Sequence, residues 1–335
     1  MSSTASRLAR VLIAVVAAVV AAALGYLVFV DLPGGSLARL LGVLLTIGVA
    51  ILGIRMARRY SEHRFAPYNV GQVSVEGPIA RRPGRSLSTP PVMVTADDIV
   101  EQIEAADADD AVRALVVHLD TPGGEVVPSD DIRRAVEDFD GPTVAYATDT
   151  CASGGYWIAS GCDHIVAREG SIVGSIGVIA SRVTGEGLLE RLGLTYERLV
   201  AGDYKDAGVA LRDMDDDERE YLQGIVDDYY QTFVDRVVSG RDLDEDDVMD
   251  TQARVFLGED ALERGLVDDI GAADTVEEWI EAELDEAVTI REFEPQIGFA
   301  DRIGMGAERV AFALGAGLSS VLVDDGDGAT DFEFR

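Results

Sequence analysis

The sequence predicts an α/β domain with a largely parallel sheet and a helical C-terminal part, preceded by two membrane-spanning helices. Three observations predict it. Between residues 70 and 183, apolar runs of strand length alternate with helical patterns, the signature of βα units. Beyond Asp215 the patterns are mostly helical. Ahead of residue 65 stand two long apolar runs almost free of charge.

The first run, residues 11–30, has no charged residue. As a helix it is about 30 Å long, the thickness of a bilayer core. A cleaved signal peptide has a shorter apolar core, about 7–15 residues, and no small-residue cleavage site follows here. After Asp31-Leu32-Pro33-Gly34-Gly35 comes a second run over 37–54, interrupted by Arg39. Arg7 and Arg10 precede the first run, and Arg55, Arg58, Arg59 and Arg64 follow the second. The positive-inside rule then gives a hairpin with both ends in the cytoplasm. Residues 1–64 are therefore expected to be a membrane anchor in a multi-pass cell-membrane protein, with lipid as a partner. If the second run does not cross, the main domain lies outside.

Residues 65–300 form the expected main domain. Alternation over 70–79 predicts a strand, and an Arg/Pro/Ser-rich loop follows at 81–91. Thr95 and Asp98 match a capping box opening a helix over 96–106. The apolar run 112–119 reads as a buried parallel strand, ending in Asp120-Thr121-Pro122-Gly123-Gly124. A helix over 129–139 leads through Gly141-Pro142 to a strand over 143–148, then to a helix from Ser153 and strands over 164–167 and 176–183. Helices are predicted over 215–240, 244–252, 258–264 and 274–286. Residues 301–323 are expected to hold an apolar helix that is docked or interfacial, and 324–335 an acidic tail.

Charge is uneven. Residues 1–65 hold seven arginines against Asp31 and Glu62, a balance of +5; the remainder holds 21 basic and 59 acidic residues, a balance of −38. Such a domain repels nucleic acid. With 47% hydrophobic residues and clear periodicity the chain is nonetheless a folding one. Acidity of this degree fits a halophilic source, where salt screens repulsion to a few ångströms. The basic residues are arginine throughout, except Lys205.

That exception matters for chemistry. Arginine stays charged to above about pH 12 and cannot act as a general base, whereas a desolvated lysine can. Ser153 follows a strand, opens a helix and precedes Gly154-Gly155. A serine there is either a helix N-cap or a nucleophile whose oxyanion the first helical N–H groups can hold. Gly123 or Gly124, at the end of another strand and so at the same sheet edge, offers a second N–H; alternatively Pro-Gly-Gly is a plain turn. In Gly174-Ser175-Ile176-Gly177-Val178, Ser175 can orient the lysine or simply begin a strand. His118 and His164 lie in strands as half-buried structural histidines. Cys151 reads as a buried thiol rather than a nucleophile. Cys151 and Cys162 show no metal-ligand spacing, and the three histidines are scattered, so no cofactor or metal is expected.

Taken in order, Asp120-Thr121-Pro122-Gly123-Gly124, Ala152-Ser153-Gly154-Gly155-Tyr156, Gly174-Ser175-Ile176-Gly177-Val178, Tyr204-Lys205-Asp206, and Gly258-Glu259-Asp260-Ala261 with Gly265-Leu266-Val267-Asp268 resemble one family. It is the signal peptide peptidase A family of Ser–Lys serine peptidases, in its short single-domain form. The likeness spans roughly residues 70–275. The resemblance implies a caseinolytic-protease/crotonase-like fold. It implies that Ser153 attacks a scissile carbonyl while neutral Lys205 takes its proton, that Ser175 holds Lys205, and that N–H groups of Gly154 and of Gly123 or Gly124 form the oxyanion hole. It also implies apolar peptide substrates, such as cleaved signal peptides, and a ring-like homo-oligomer. The two-run N-terminus departs from the family, whose members have one span and an external catalytic domain. Two other classes remain: a crotonase-like acyl-CoA enzyme, which the acidic domain disfavours, and a catalytically inactive membrane scaffold.

Overall fold

The computed structural model describes residues 66–81 and 94–295, together with scattered helical positions between residues 15 and 55. The chain divides into two units, one of residues 1–82 with 95–293 and one of residues 83–94 with 294–335. The first unit carries the sheet and the helices around it. The apolar helix expected over 301–323 and the tail after it lie outside the described residues.

The sheet carries β1 (Val70–Glu76), β2 (Ala114–Thr121), β3 (Thr143–Ala152), β4 (His164–Ala167), β5 (Ile172–Gly174), β6 (Val255–Leu257), β7 (Asp269–Ile270) and β8 (Ile290–Glu292). The helices are α1 (Ala96–Asp107), α2 (Val126–Glu137), α3 (Gly154–Ala159), α4 (Glu186–Arg191), α5 (Asp216–Arg241), α6 (Glu245–Asp250), α7 (Gly258–Glu263) and α8 (Ala273–Leu284). The main path runs β6-β5-β3-β2-β1-β8, with β4 and β7 on a branch from β3. All pairings are parallel except β5 with β6. The α/β class with a parallel-dominated sheet is thus the observed one.

Alternation along the strands feeds two cores. One face sends Val73, Leu115, Leu119, Ala145 and Cys151 against α1, α2, α3 and α5, through side chains such as Ile103, Ile132, Tyr156 and Phe233. The other face sends Val70, Val116, Val144 and Val166 against Val276 and Ile280 of α8. Burial on both faces explains why β2 and the first half of β3 read as apolar runs rather than alternating strands. Strand β3 serves two partners: residues 144–147 pair with β4, and residues 150–152 pair with β5. The ends of β2, β3 and β5 therefore converge at one edge.

Helix starts follow their caps. Thr95 forms the expected capping box with Asp98, and Asp215 forms another with Glu218 at the start of α5. Helix α2 begins at Val126, before the expected 129, because Pro128 is tolerated in a first turn, where no intrahelical bond needs its missing N–H. The strand expected over 176–183 is corrected to β5 over Ile172–Gly174. Gly174 at φ 109° and Ser175 at φ 52° break the strand before it can continue.

The expectation of a multi-pass membrane protein is also corrected. Among the described residues, no helix is long and apolar enough to cross a membrane. Within the second apolar run the described helical stretch is 45–53. The remaining residues of the two expected spans lie outside the described ones, save the scattered positions of the first.

Candidate active site

Strand β3 ends at Ala152, and α3 begins at Gly154, so Ser153 is the whole connection. Its backbone sits at φ 52°, ψ −118°, away from the extended geometry of an ordinary N-cap, and its side chain makes no capping hydrogen bond. A non-glycine residue in such a conformation costs on the order of 1–3 kcal/mol, and that cost clusters at functional sites. Two bonds hold the turn. The Ser153 N–H donates to the Gly174 carbonyl (2.8 Å), and the Ser153 carbonyl accepts from the Trp157 N–H (2.9 Å). The N-cap position is occupied, but the hydroxyl is not used for capping.

The Pro-Gly-Gly turn lies directly against this corner. Gly123 has φ +90°, and a Cβ there would stand 2.4 Å from the Gly154 nitrogen and 2.9 Å from the Ser153 Cβ. At Gly124 a Cβ would meet the Ile79 carbonyl oxygen at 2.0 Å. Glycine is needed at 123 for the two turns to meet, and at 124 for the turn to pair with Ile79. The Gly123 N–H donates to Thr121 Oγ1 (3.0 Å), whose own hydroxyl donates to the Gly77 carbonyl. Of the two glycines expected to offer the second donor, Gly123 has its N–H engaged by Thr121. Gly124 remains beside Gly154, whose N–H is the first of α3 and has no intrahelical acceptor.

Ser175 is placed next to Ser153. The register Ala152↔Gly174 puts the two serines one residue beyond a paired position on neighbouring strands, and both have φ 52°. The Ser175 N–H donates to the Arg254 carbonyl (2.9 Å).

A cavity of about 90 Å³ opens at Ser153, with Gly124, Gly154, Ser129, Trp157, Ile179 and Phe233 on its walls. Trp157 and Phe233 pack ring against ring at 4.7 Å, and the Trp157 indole N–H donates to Asp130 (3.2 Å). Ser129 is fully buried and donates to the Glu125 carbonyl (2.8 Å), tying α2 to the glycine turn. Sequence reasoning missed these wall residues. Trp157 was detectable as one helical turn beyond Ser153; Ser129 and Phe233 left no signal.

Lys205 stands apart. It lies in a turn over 202–208, it is exposed, and it is not among the residues lining the cavity. The segment that bears it begins at the cavity wall with Gly177, Val178 and Ile179 and then runs over the surface. The structure thus gathers Ser153, Ser175, Gly124 and Gly154, and leaves Lys205 outside that cluster.

The two described histidines are occupied elsewhere. His118 on β2 contacts Thr148 Oγ1 (3.2 Å), and His164 contacts Asp269 (2.9 Å) while stacking on Trp279. Cys151 is completely buried, and burial pushes its thiol up to about 12, which keeps it protonated and unreactive. Among the described residues, no group of three or more His, Cys, Asp or Glu side chains is arranged to hold a metal ion.

Residues 137–287, which include Ser153, Ser175 and Lys205, match the model of peptidase family S49. A putative protease of Synechocystis is 40% identical over 169 residues, covering 50% of this chain and 61% of that protein. A putative signal peptide peptidase of Enterococcus faecium is 32% identical over 209 residues, 61% of each. The chloroplastic serine protease SPPA of Arabidopsis thaliana is 33% identical over 199 residues, 58% of this chain and 29% of that protein. The chain thus spans under two thirds of the length of these relatives.

Proposed function

We propose that the protein, whose residues 137–287 match the model of peptidase family S49, is a serine endopeptidase whose nucleophile is Ser153 and whose general base is Lys205. The observation that carries this reading is the corner at Ser153. A hydroxyl not engaged in capping, on a strained strand-to-helix turn, faces a cavity beside two glycine N–H groups. The Ser153 oxygen attacks the scissile carbonyl and passes its proton to the neutral Lys205 amine. The resulting oxyanion accepts hydrogen bonds from Gly124 and Gly154, each worth on the order of 3 kcal/mol. The lysine ammonium then protonates the leaving amine, and water repeats the sequence on the acyl-enzyme. Ser175 orients Lys205.

The substrates are apolar peptides, cleaved signal peptides among them, because the cavity walls include Trp157, Phe233 and Ile179. The working form is a ring-like homo-oligomer, in strong salt suited to the acidic surface. Ile179, Val183, Leu192 and Leu199 are 88%, 85%, 64% and 95% exposed on the segment leading to Lys205. Apolar exposure on that scale marks a surface that another molecule covers. Covering it is also the step expected to bring a lysine to Ser153.

The test is cleavage of a fluorogenic apolar peptide in high salt. Ser153→Ala and Lys205→Arg should each lower kcat at least a thousandfold while leaving the oligomer intact. Full activity in Lys205→Arg would remove Lys205 from the mechanism, since arginine cannot take the proton.

A further inference from the structure

The turn that bears Lys205 is held at both ends by one side chain. Arg198 donates through Nη2 to the Asp203 carbonyl (2.7 Å) and through Nε to both carboxylate oxygens of Asp206 (2.8 and 2.9 Å). Lys205 lies between these two anchor points. Its own N–H donates to the Gly202 carbonyl (3.2 Å), and the Ala207 N–H closes back on the Tyr204 carbonyl (3.2 Å). The local backbone is thus compact, but short turn bonds alone do not fix a solvent-exposed loop.

The clamp has a second layer. Arg212 lies 3.3 Å from Asp206 and bonds in a fork to Glu218, the capping-box residue of α5. Tyr204 packs on Tyr221 of α5 at 4.8 Å. Arg182 donates to the Val209 and Arg212 carbonyls (3.1 and 2.9 Å). Glu186 of α4 accepts from the Asp213 N–H (2.7 Å). The lysine turn is therefore tied to the rigid start of a 26-residue helix.

We infer that Arg198 is a positioning residue for Lys205, fixing both the place and the charge surroundings of its amine. The inference rests on the reading of Lys205 as general base. Its chemistry is that of a planar fork, which bridges a carbonyl and a carboxylate at once; a lysine at 198 can supply only a point charge. The electrostatics agree. Hydrogen bonds from Arg198 hold the Asp206 carboxyl down at about 2, so it is fully ionised and paired. Asp206 is thereby held between two guanidinium groups rather than left as a free anion beside the lysine turn. The other groups around the turn are Asp203, Arg212 with its partner Glu218, and the phenols of Tyr204 and Tyr221.

Because Lys205 is the only lysine in the chain, an amine-acylating reagent read by peptide mass spectrometry reports on it without reference to activity. The labelling rate is measured against pH for the full-length protein and for Arg198→Ala, Arg198→Lys and Asp206→Asn, alongside peptide cleavage. Removing the Arg198 charge leaves Asp206 less compensated, so the Lys205 labelling midpoint moves to higher pH, by on the order of half a unit or more. Asp206→Asn removes the anion and moves it to lower pH. Arg198→Ala should lose at least tenfold in kcat with KM within about twofold, and Arg198→Lys should restore the midpoint but not the full kcat. Midpoints unchanged in both charge-altering variants, or moving the same way, would overturn the inference, as would full kcat in Arg198→Ala. If Arg198→Ala does not fold, Asp206→Asn carries the same test. Failure of the general-base reading is seen separately, as an active Lys205→Arg, and leaves the labelling result interpretable.

Discussion

Replacing Gly123 with alanine tests whether the meeting of the two turns at Ser153 is what makes the site. The φ of +90° places a side chain in left-handed backbone, at about 1–2 kcal/mol. The new Cβ would lie 2.4 Å from the Gly154 nitrogen, 2.8 Å from the Ala152 oxygen and 2.9 Å from the Ser153 Cβ. None of these is the far end of a flexible side chain, so backbone must move, adding about 1–3 kcal/mol. The expected total is about 3 kcal/mol, or roughly 6–12 °C in Tm at 2–4 °C per kcal/mol for a domain of this size. What moves is the proposed donor pair. Displacing one oxyanion donor lowers kcat about 10²–10³-fold. Circular dichroism gives the Tm, and cleavage of the fluorogenic peptide well below the variant's Tm gives kcat and KM. Gly170→Ala is the control, because nothing lies within 4 Å of its Cβ position and its φ is unexceptional; it should change neither quantity. If Gly123→Ala loses the expected stability yet keeps kcat within threefold, Gly124 and Gly154 are not the oxyanion donors.

Three further outcomes are expected. Arg241, 6% exposed, bonds both oxygens of Asp268 (2.9 and 2.6 Å), so Asp268→Asn should cost on the order of 2 kcal/mol once the partial exposure of the carboxylate is discounted, read as a lower urea midpoint at unchanged slope. The cavity of about 90 Å³ is smaller than the roughly 150 Å³ void that accepts a benzene ring, so peptides with alanine or valine before the scissile bond should be cleaved at least tenfold faster than those with tryptophan, and Phe233→Ala should narrow that ratio. Burial holds the Cys151 thiol up at about 12 and raises Cys162 as well, so a disulfide-exchange reagent at pH 8 should titrate neither cysteine in the native protein and both in denaturant, without inhibiting native cleavage.

The sheet was legible where the chain obeys one period, and less so where it changes rule. Residues 112–119 are mostly apolar, Arg113 and His118 excepted, because α1 and α2 cover one side of β2 and α8 the other. That double burial is what a mostly apolar run records. Residues 176–183 imitate a strand because Ile176 is buried like a strand residue, while the backbone before it is already broken at Gly174 and Ser175. The short strands β6, β7 and β8, of two or three residues each, carry no periodicity to detect. At the site, Ser153 and the glycine turn were visible from their chemistry and their place after strands. The engagement of the Gly123 N–H by the Thr121 hydroxyl was not, because a side-chain bond within a turn leaves no periodicity to read. Arg198 was invisible for a similar reason: among 27 arginines, only the fold shows which one brackets the lysine turn.

The position of the cavity follows from the same packing that stabilises the domain. Cys151 lies within β3, and Ser153 follows directly on the end of that strand. Cys151 is sealed in the core beneath α3, while Ser153 stands where the strand ends and the chain turns. Trp157 and Phe233 belong to that core and also line the cavity. The cavity is thus the open end of the hydrophobic core, not a separate structure laid on the surface. An apolar side chain entering it would continue the packing of Trp157 and Phe233, gaining about 25 cal/mol per Å² of apolar surface removed from water. The proposed preference for apolar peptides then needs no dedicated recognition element, and any substitution that closes the core over Ser153 should remove binding before it affects folding.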